Sequence, residues 1–333
     1  MNKRAPLHTT GVFVGMGAAL LVLALLSLSL GAVEIPLSQQ WAMLTGGGAD
    51  ESTRSILLLV RWPRVAGAAL TGAALAVAGC LLQRVMGNPL AGPNILGVNA
   101  GSGLCVLVLS AFFPQLTALS PAAAFLGALA AAMGVYALAS RFGAERMTLV
   151  LAGVAVSSIL GAMTDTLLTL YPQVQAGRVD FMIGGFSALS WERVSPCILP
   201  VILGMLVAWV LSYDLNVLAL GEETAHALGM RVKLLRFVFI LLAAVLAGCA
   251  VSMAGLVGFI GLITPHAVRF LTGSDARRQI PLCALTGAAF TLACDLISRL
   301  LFAPYELPEG IVMSALGGPF FLWLLFRRRE ARP

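Results

Sequence analysis

Charge is what this chain has least of. Of its 333 residues only 21 are Lys or Arg and 15 are Asp or Glu, 11% together, where a water-soluble domain carries roughly 25%. That shortage, beside 59% apolar residues and a mean hydropathy of +0.94, excludes a disordered chain and an ordinary soluble enzyme and leaves a polytopic membrane protein. Histidine is scarce too: the three residues show no metal-ligand spacing. No Gly-rich phosphate loop ending in Gly-Lys-Ser/Thr occurs, so the chain does not hydrolyse ATP itself. H-E-x-x-H and G-x-S-x-G are missing, and acids are too sparse for a two-carboxylate metal centre. The basic residues fall between apolar runs and form no continuous surface for nucleic acid.

What is present is a series of long apolar runs. They lie at about 11–31, from after Arg64 to 82, 95–112, 119–139, 147–169, 194–212, 235–254, 258–271, 280–301 and 310–326, ten in a length that holds roughly that many crossings of about 20 residues. The first, behind Lys3 and Arg4, is read as a retained span and not a cleaved leader. Pro63 suits the first turn of the second. Assigning the N-terminus to the cytoplasm puts fifteen Lys and Arg inside and six outside (Arg54, Arg61, Arg64, Arg178, Arg193 and Arg299), which favours both termini inside. The six cysteines, Cys80, Cys105, Cys197, Cys249, Cys283 and Cys294, sit in or beside apolar runs and read as small packing residues. Gly67, Gly72, Ala76, Gly79, Gly153, Ser157 and Gly161 suit closely packed helices.

Three stretches break the pattern. Gln83 to Gly97 (QRVMGNPLAGPNILG) carries Pro89 and Pro93 and cannot be one helix; Asn88 can close a turn. Such irregular backbone near a membrane packs against the bundle or lines a route. Asp214 to Lys233 is a polar loop with a short helix, started by Glu222 and Glu223 and ended by Gly229. Ala225 and Leu228, three apart, give it an apolar face expected to dock a cytoplasmic partner. Gly255 to Arg269 has Gly255, Gly258 and Gly261 at every third place and then Pro265, which predicts a broken or tilted helix bordering a solute route; His266 reads as structural. Among intramembrane ions, Asp165 stands alone, while Asp295 and Arg299 stand four apart on one helix face and can pair or meet a partner. Chemistry alone leaves a transporter powered by a separate subunit, a self-contained secondary carrier and a membrane enzyme.

Longer motifs narrow the choice. Arg61-Trp62-Pro63-Arg64, Gly72 to Gly79, Gln83, Asn88-Pro89-Leu90-Ala91, Ile95-Leu96-Gly97, Gly221-Glu222-Glu223 to Leu228-Gly229, Gly258 to His266, Glu306-Leu307-Pro308-Glu309-Gly310 and Gly318-Pro319-Phe320-Phe321 together resemble the FecCD/BtuC-like permeases of ABC importers for iron-siderophores, haem and vitamin B12. Thr264 departs from the aliphatic residue common there. The resemblance covers essentially the whole chain, 1–333, as one all-α transmembrane bundle of about ten helices.

The resemblance implies a non-catalytic inner-membrane subunit that pairs with a second permease copy. It also implies two ATP-binding subunits beneath, which use ATP-Mg while this chain binds no cofactor, and a periplasmic or lipid-anchored binding protein above. Ferric siderophore leads as solute, with haem and cobalamin as alternatives and an ion-gradient carrier as the alternative of another class. Arg61, Arg64 and Arg299 match positions that meet acidic residues of the binding protein, and Glu222 to Gly229 matches the helices that couple to the ATPase. The fifth span with Asp165, and the segment from Gln173 to Phe186 with Gly184 and Gly185, match a pore-lining helix and outer gate. Gln83, Asn88, Pro89, Gly97, Gly258, Gly261, Pro265 and His266 are expected to shape the bundle.

Overall fold

The computed structural model describes residues 9–31, 35–44, 50–143, 146–174, 181–187, 189–303 and 305–330. Lys3, Arg4, Arg178 and Arg332 of the charge count, and positions 175–180 of the expected gate, lie outside them. The described residues form helices and connecting turns, with no strand among them. In order these are α1 (Thr9–Ser29), α2 (Leu37–Leu44), α3 (Glu51–Val85), α4 (Val98–Phe112), α5 (Ser120–Arg141), α6 (Arg146–Leu170), α7 (Trp191–Val210), α8 (Ser212–Ala219), α9 (Glu222–Ala227), α10 (Val232–Ala254), α11 (Ile260–Thr272), α12 (Ala276–Leu300) and α13 (Glu309–Glu330).

Each of the ten apolar runs is helical, and seven helices among the described residues are long and apolar enough to cross a membrane: α1, α3, α5, α6, α7, α10 and α12. Helices α4 and α11 are shorter for local reasons. Proline at 89 and 93 and a left-handed Gly97 (φ 72°) delay the start of α4, leaving it 15 residues. Gly255 (φ 70°) ends α10, Gly273 (φ 83°) ends α11, and only 13 residues of helix fit between. Asp275 then caps α12 by accepting from the Arg277 amide at 3.1 Å.

Pro63 does stand in the first turn of the α-helical stretch Trp62–Val85, as expected, but the span does not start there. The helix begins at Glu51, and a π-helical turn at Leu57–Arg61 carries it into Trp62. Pro63 has no N–H for the carbonyl four residues before it, and widening the turn lets the Trp62 amide donate to Leu57 instead.

Helix α3 is the centre of the bundle, packed on α7, α10, α11 and α12. The contacts are backbone to backbone: a Cβ on Gly79 would fall inside the Gly261 carbonyl of α11, and one on Gly72 inside the Gly287 carbonyl of α12. Lipid tails are as apolar as leucine, so such close fit, and not exclusion from water, holds these helices together. All six cysteines are free thiols, five of them buried, as packing residues should be.

Candidate functional site

The polar chemistry of the bundle collects at its two ends. At the end where α3 enters and α12 leaves, three arginines and three acids share one cluster. Arg64 reaches Asp295 at 2.8 Å with Nε, Glu306 at 2.8 Å with Nη1 and Glu309 at 2.9 Å with Nη2. Arg299 meets the other oxygen of Asp295 at 2.8 Å, so the sequence pairing of positions 295 and 299 holds. It also donates to the carbonyls of Ser27 and Leu30 at the end of α1, and Arg61 donates to Leu28 O. A planar guanidinium with a rigid fork of donors suits this multiple pairing where an ammonium would not.

Solvent-facing arginines were the expectation here, and the structure differs. Arg61, Arg64 and Arg299 are only 6%, 6% and 7% exposed, because the Glu306 and Glu309 carboxylates and the α1 carbonyls fold over them. An Arg64→Glu change would therefore set four carboxylates against one another; it reports on folding before it reports on docking. Glu306 and Glu309, with Ser27, are the members that spacing arguments did not single out. Their signal was the Glu306-Leu307-Pro308-Glu309-Gly310 stretch, carried in the resemblance without a role.

The cluster continues into the glycine segment. Glu309 Oε2 accepts from the Phe186 amide at 3.0 Å and would collide with a Cβ on Gly185. The Gly185 amide donates to Ala254 O at 2.8 Å, and the Leu256 amide to Phe181 O at 2.9 Å. Gly184 is left-handed at φ 69°, with Leu256 O against the place of its missing side chain. Close approach of backbone and carboxylate is what these glycines serve. Gln173 lies away from the cluster, exposed in a short turn after α6, and Asp165 is exposed on α6 itself.

The opposite end carries α8 and α9, two short helices outside the spans. Buried Arg84, at the end of α3, donates to Asn216 Oδ1 of α8 at 2.8 Å, to Gln279 Oε1 of α12 at 3.0 Å and to Ser274 O. Gln279 passes the link to Pro265 O of α11 at 3.0 Å. Arg236 of α10, 1% exposed, grips Glu222 of α9 at 2.9 Å, and that hydrogen bond holds the Glu222 carboxyl below the ordinary carboxylate range. Arg146 of α6 reaches Leu218 O at 3.4 Å. The surface pair is thus tied to α3, α6, α10, α11 and α12, mostly through arginines that the spacing arguments passed over.

Within α9 one expectation needs correction. Ala225 and Leu228 do not share an outer face: Ala225 is fully buried against its own chain while Leu228 is 62% exposed. The helix is one and a half turns long, so three residues separate its inner face from its unwinding end, where Gly229 (φ 76°) turns the chain. The exposed apolar residues that flank the helix are instead Leu228 and, before it, Leu220, 69% exposed. Glu223, in its first turn, is exposed too.

The remaining motif residues are internal. Gln83 donates to Gly261 O at 3.2 Å, tying α3 to α11; Asn88 accepts from the Leu90 amide at 2.9 Å to form the turn that Pro89 occupies. Gly258 lies in an open stretch before α11, and His266 is half-buried on it. The 90–99 and 257–262 segments enclose a cavity of about 80 Å³, far below the roughly 300–1,000 Å³ of ligand pockets. A bulky solute has no room there. Helix α6 shows a different kind of surface, with Leu151, Val154, Ile159 and Met163 all at least half exposed and open space over Gly161.

Comparison with known proteins agrees with this geometry. The FecCD transport family matches residues 19–327. The hemin transport system permease protein of Yersinia pestis is 39% identical over 324 residues, 94% of either chain. The iron(3+)-hydroxamate import system permease protein of Bacillus subtilis (strain 168) is 37% identical, over 97% of this chain and 85% of its own. A solved structure described as an inward-facing conformation of a metal-chelate type ABC transporter superposes with a TM-score of 0.83 at 29% identity, covering 96% of this chain and 99% of that one.

Proposed function

The chain belongs to the FecCD transport family, and from that premise we propose that it is the membrane permease of a binding-protein-dependent importer for a ferric siderophore or similar iron chelate. The observation that carries the reading is the wiring of α8 and α9. Two short helices that cross no membrane are clamped by Arg84 and Arg236 to the buried centre of the bundle, so a push on them moves several spans together. The chain has no nucleotide loop, and a separate ATPase using ATP-Mg is the natural source of that push. Leu220, Glu223 and Leu228 form its landing edge.

A second copy completes the route. The cavity between the 90–99 and 257–262 segments is too small for a chelate, while α6 offers an open face that bears Asp165. An acid on a spanning helix is costly against lipid and tolerable against a water-filled path. Arginines are buried on both sides, Arg61, Arg64 and Arg299 at one end and Arg84 and Arg236 at the other, so the orientation with cytoplasmic termini rests on the count of fifteen against six. The binding protein is assigned to the Arg64 end, where the buried arginines hold Glu306 and the 181–186 segment in place. Haem is the second reading for the solute, favoured by the 39% identical hemin permease.

The test is reconstitution with the ATPase and binding protein of its system, assayed with ferric siderophore, haem and cobalamin. Leu228→Asp is expected to abolish uptake and solute-stimulated ATP hydrolysis while leaving the melting temperature of the permease unchanged, since the side chain is exposed. Full solute-stimulated hydrolysis in that variant would refute the landing edge. Uptake by the permease alone on an ion gradient would refute the importer.

A further inference from the structure

A groove of about 360 Å³ opens where α7 ends, α8 begins and α12 begins, lined by Trp209, Val210, Ser212, Tyr213, Asn216, Asp275 and Arg277. Three features of its walls belong together. First, it is amphipathic at the level where a spanning helix leaves the membrane: Trp209 is 40% and Tyr213 74% exposed, and aromatic residues with a polar edge settle at the headgroup layer. Second, it continues an apolar track. Leu199, Leu203, Leu206 and Val210 recur at helical spacing on α7, 65%, 48%, 51% and 67% exposed, so one face of that helix runs into the groove.

Third, it presents a guanidinium at its rim, with a second close by. The Arg277 guanidinium lies 5.9 Å above the Trp209 ring, and the indole N–H donates to Arg277 O at 3.1 Å, which fixes the two together. Arg84 stands beneath the floor and is held by the neutral acceptors Asn216, Gln279 and Ser274. Asp275 is the one acid of the lining; its Oδ1 accepts from the Asn216 side-chain amide at 2.9 Å and the Arg277 backbone amide at 3.1 Å, and its Oδ2 is 3.8 Å from the Arg278 guanidinium, so it is turned toward partners of its own and leaves the Arg277 guanidinium to the groove. Asp214 is next in sequence to Tyr213 and is not part of the lining.

We propose that this groove is a binding site for an anionic phospholipid, its phosphate on Arg277, its glycerol region against Trp209 and Tyr213, and its acyl chains along the α7 track. An ATPase surface would explain exposed polar groups but not the apolar track, which lies on a spanning helix. A free phosphate would explain the arginine but not the aromatics. Because α8 bears Asn216 and joins α9, the site puts a lipid in contact with the segment proposed to receive the ATPase. The lipid site itself stands whether or not that coupling role does.

The experiment uses the full chain in phosphatidylcholine vesicles that contain either brominated phosphatidylglycerol or brominated phosphatidylcholine, and reads quenching of Trp209, isolated from the other tryptophans by subtraction of a Trp209→Phe variant. The wild type is expected to prefer the glycerol lipid. Arg277→Gln should lower that preference about fivefold, the worth of one basic residue at a membrane surface, with Arg277→Lys retaining most of it and Arg278→Gln changing it less than Arg277→Gln. Arg277 is exposed, so the variants should elute as the wild type does. The proposal fails if Arg277→Gln keeps the full preference, or if Arg278→Gln matches it, since a general surface potential would then suffice. It also fails if soluble glycerol phosphate displaces the quencher, or if Arg277→Gln loses a captured ATPase with lipid preference intact.

Discussion

Helices α3 and α6 are nearly equal in apolar character, with peak hydropathies of 2.0 and 1.9, yet 83% of that stretch is buried in α3 and 22% in α6. Hydropathy tells the chain which segments leave water. It does not tell them what they meet afterwards. The difference shows in glycine placement: Gly72 and Gly79 of α3 face carbonyls of α12 and α11, whereas on α6 Gly153 is pressed on the Ile95 carbonyl but Gly161, two turns on, faces nothing within 4 Å. A helix that has found its neighbours uses its small residues against backbone; one that keeps them open still has a surface to offer.

The strongest test of this contrast is a pair of equal substitutions. Gly79→Leu is expected to eliminate folded protein in detergent extracts, because the side chain would have to occupy the Gly261 backbone and the bundle centre cannot yield. Gly161→Leu should leave the yield and melting temperature of the single chain unchanged and instead weaken self-association, read by crosslinking or light scattering. Equal loss of folded protein in both variants would erase the distinction.

A second test moves from shape to charge within α3. Arg64→Ala leaves Asp295 and Glu309 buried without their shared cation and should cost about 3–5 kcal/mol, measured by denaturant unfolding in mixed micelles. The same change at exposed Arg193 should cost less than about 0.5 kcal/mol. The smallest effect belongs to the half-open pair Glu222 and Arg236. The folded-state pKa of Glu222 is depressed, so its contribution is fully present above the unfolded-state pKa and is lost as pH falls through the folded one. Glu222 is 39% exposed and screened by water. Melting curves taken from neutral pH into the acid range should therefore show wild type and Glu222→Gln converging as the carboxylate protonates.

Much of this could be read before any coordinates. The ten apolar runs, the break at Pro89 and Pro93, the short run at 258–271 after Gly255, the stop at Gly229 and the pairing of Asp295 with Arg299 are all local: each depends on residues within a turn or two, where backbone dihedrals and side-chain spacing decide. The resemblance supplied the family. What misled was burial. Arg61, Arg64 and Arg299 looked outward because they break the inside-positive bias, but Arg64 finds Asp295, Glu306 and Glu309 more than 230 residues away in sequence. Ala225 looked like a docking residue because helical spacing pairs it with Leu228, and spacing on so short a helix does not say which side the chain itself covers.

That the chain lives in a membrane, roughly where it crosses and where its backbone must turn, follows from residue order, because hydration and φ/ψ preference act residue by residue. Which arginines are enclosed by the chain's own acids, which glycines touch another backbone and which helix face stays open are settled by the packed bundle. Those outcomes depend on the meeting of segments hundreds of residues apart, and no local preference encodes the partner.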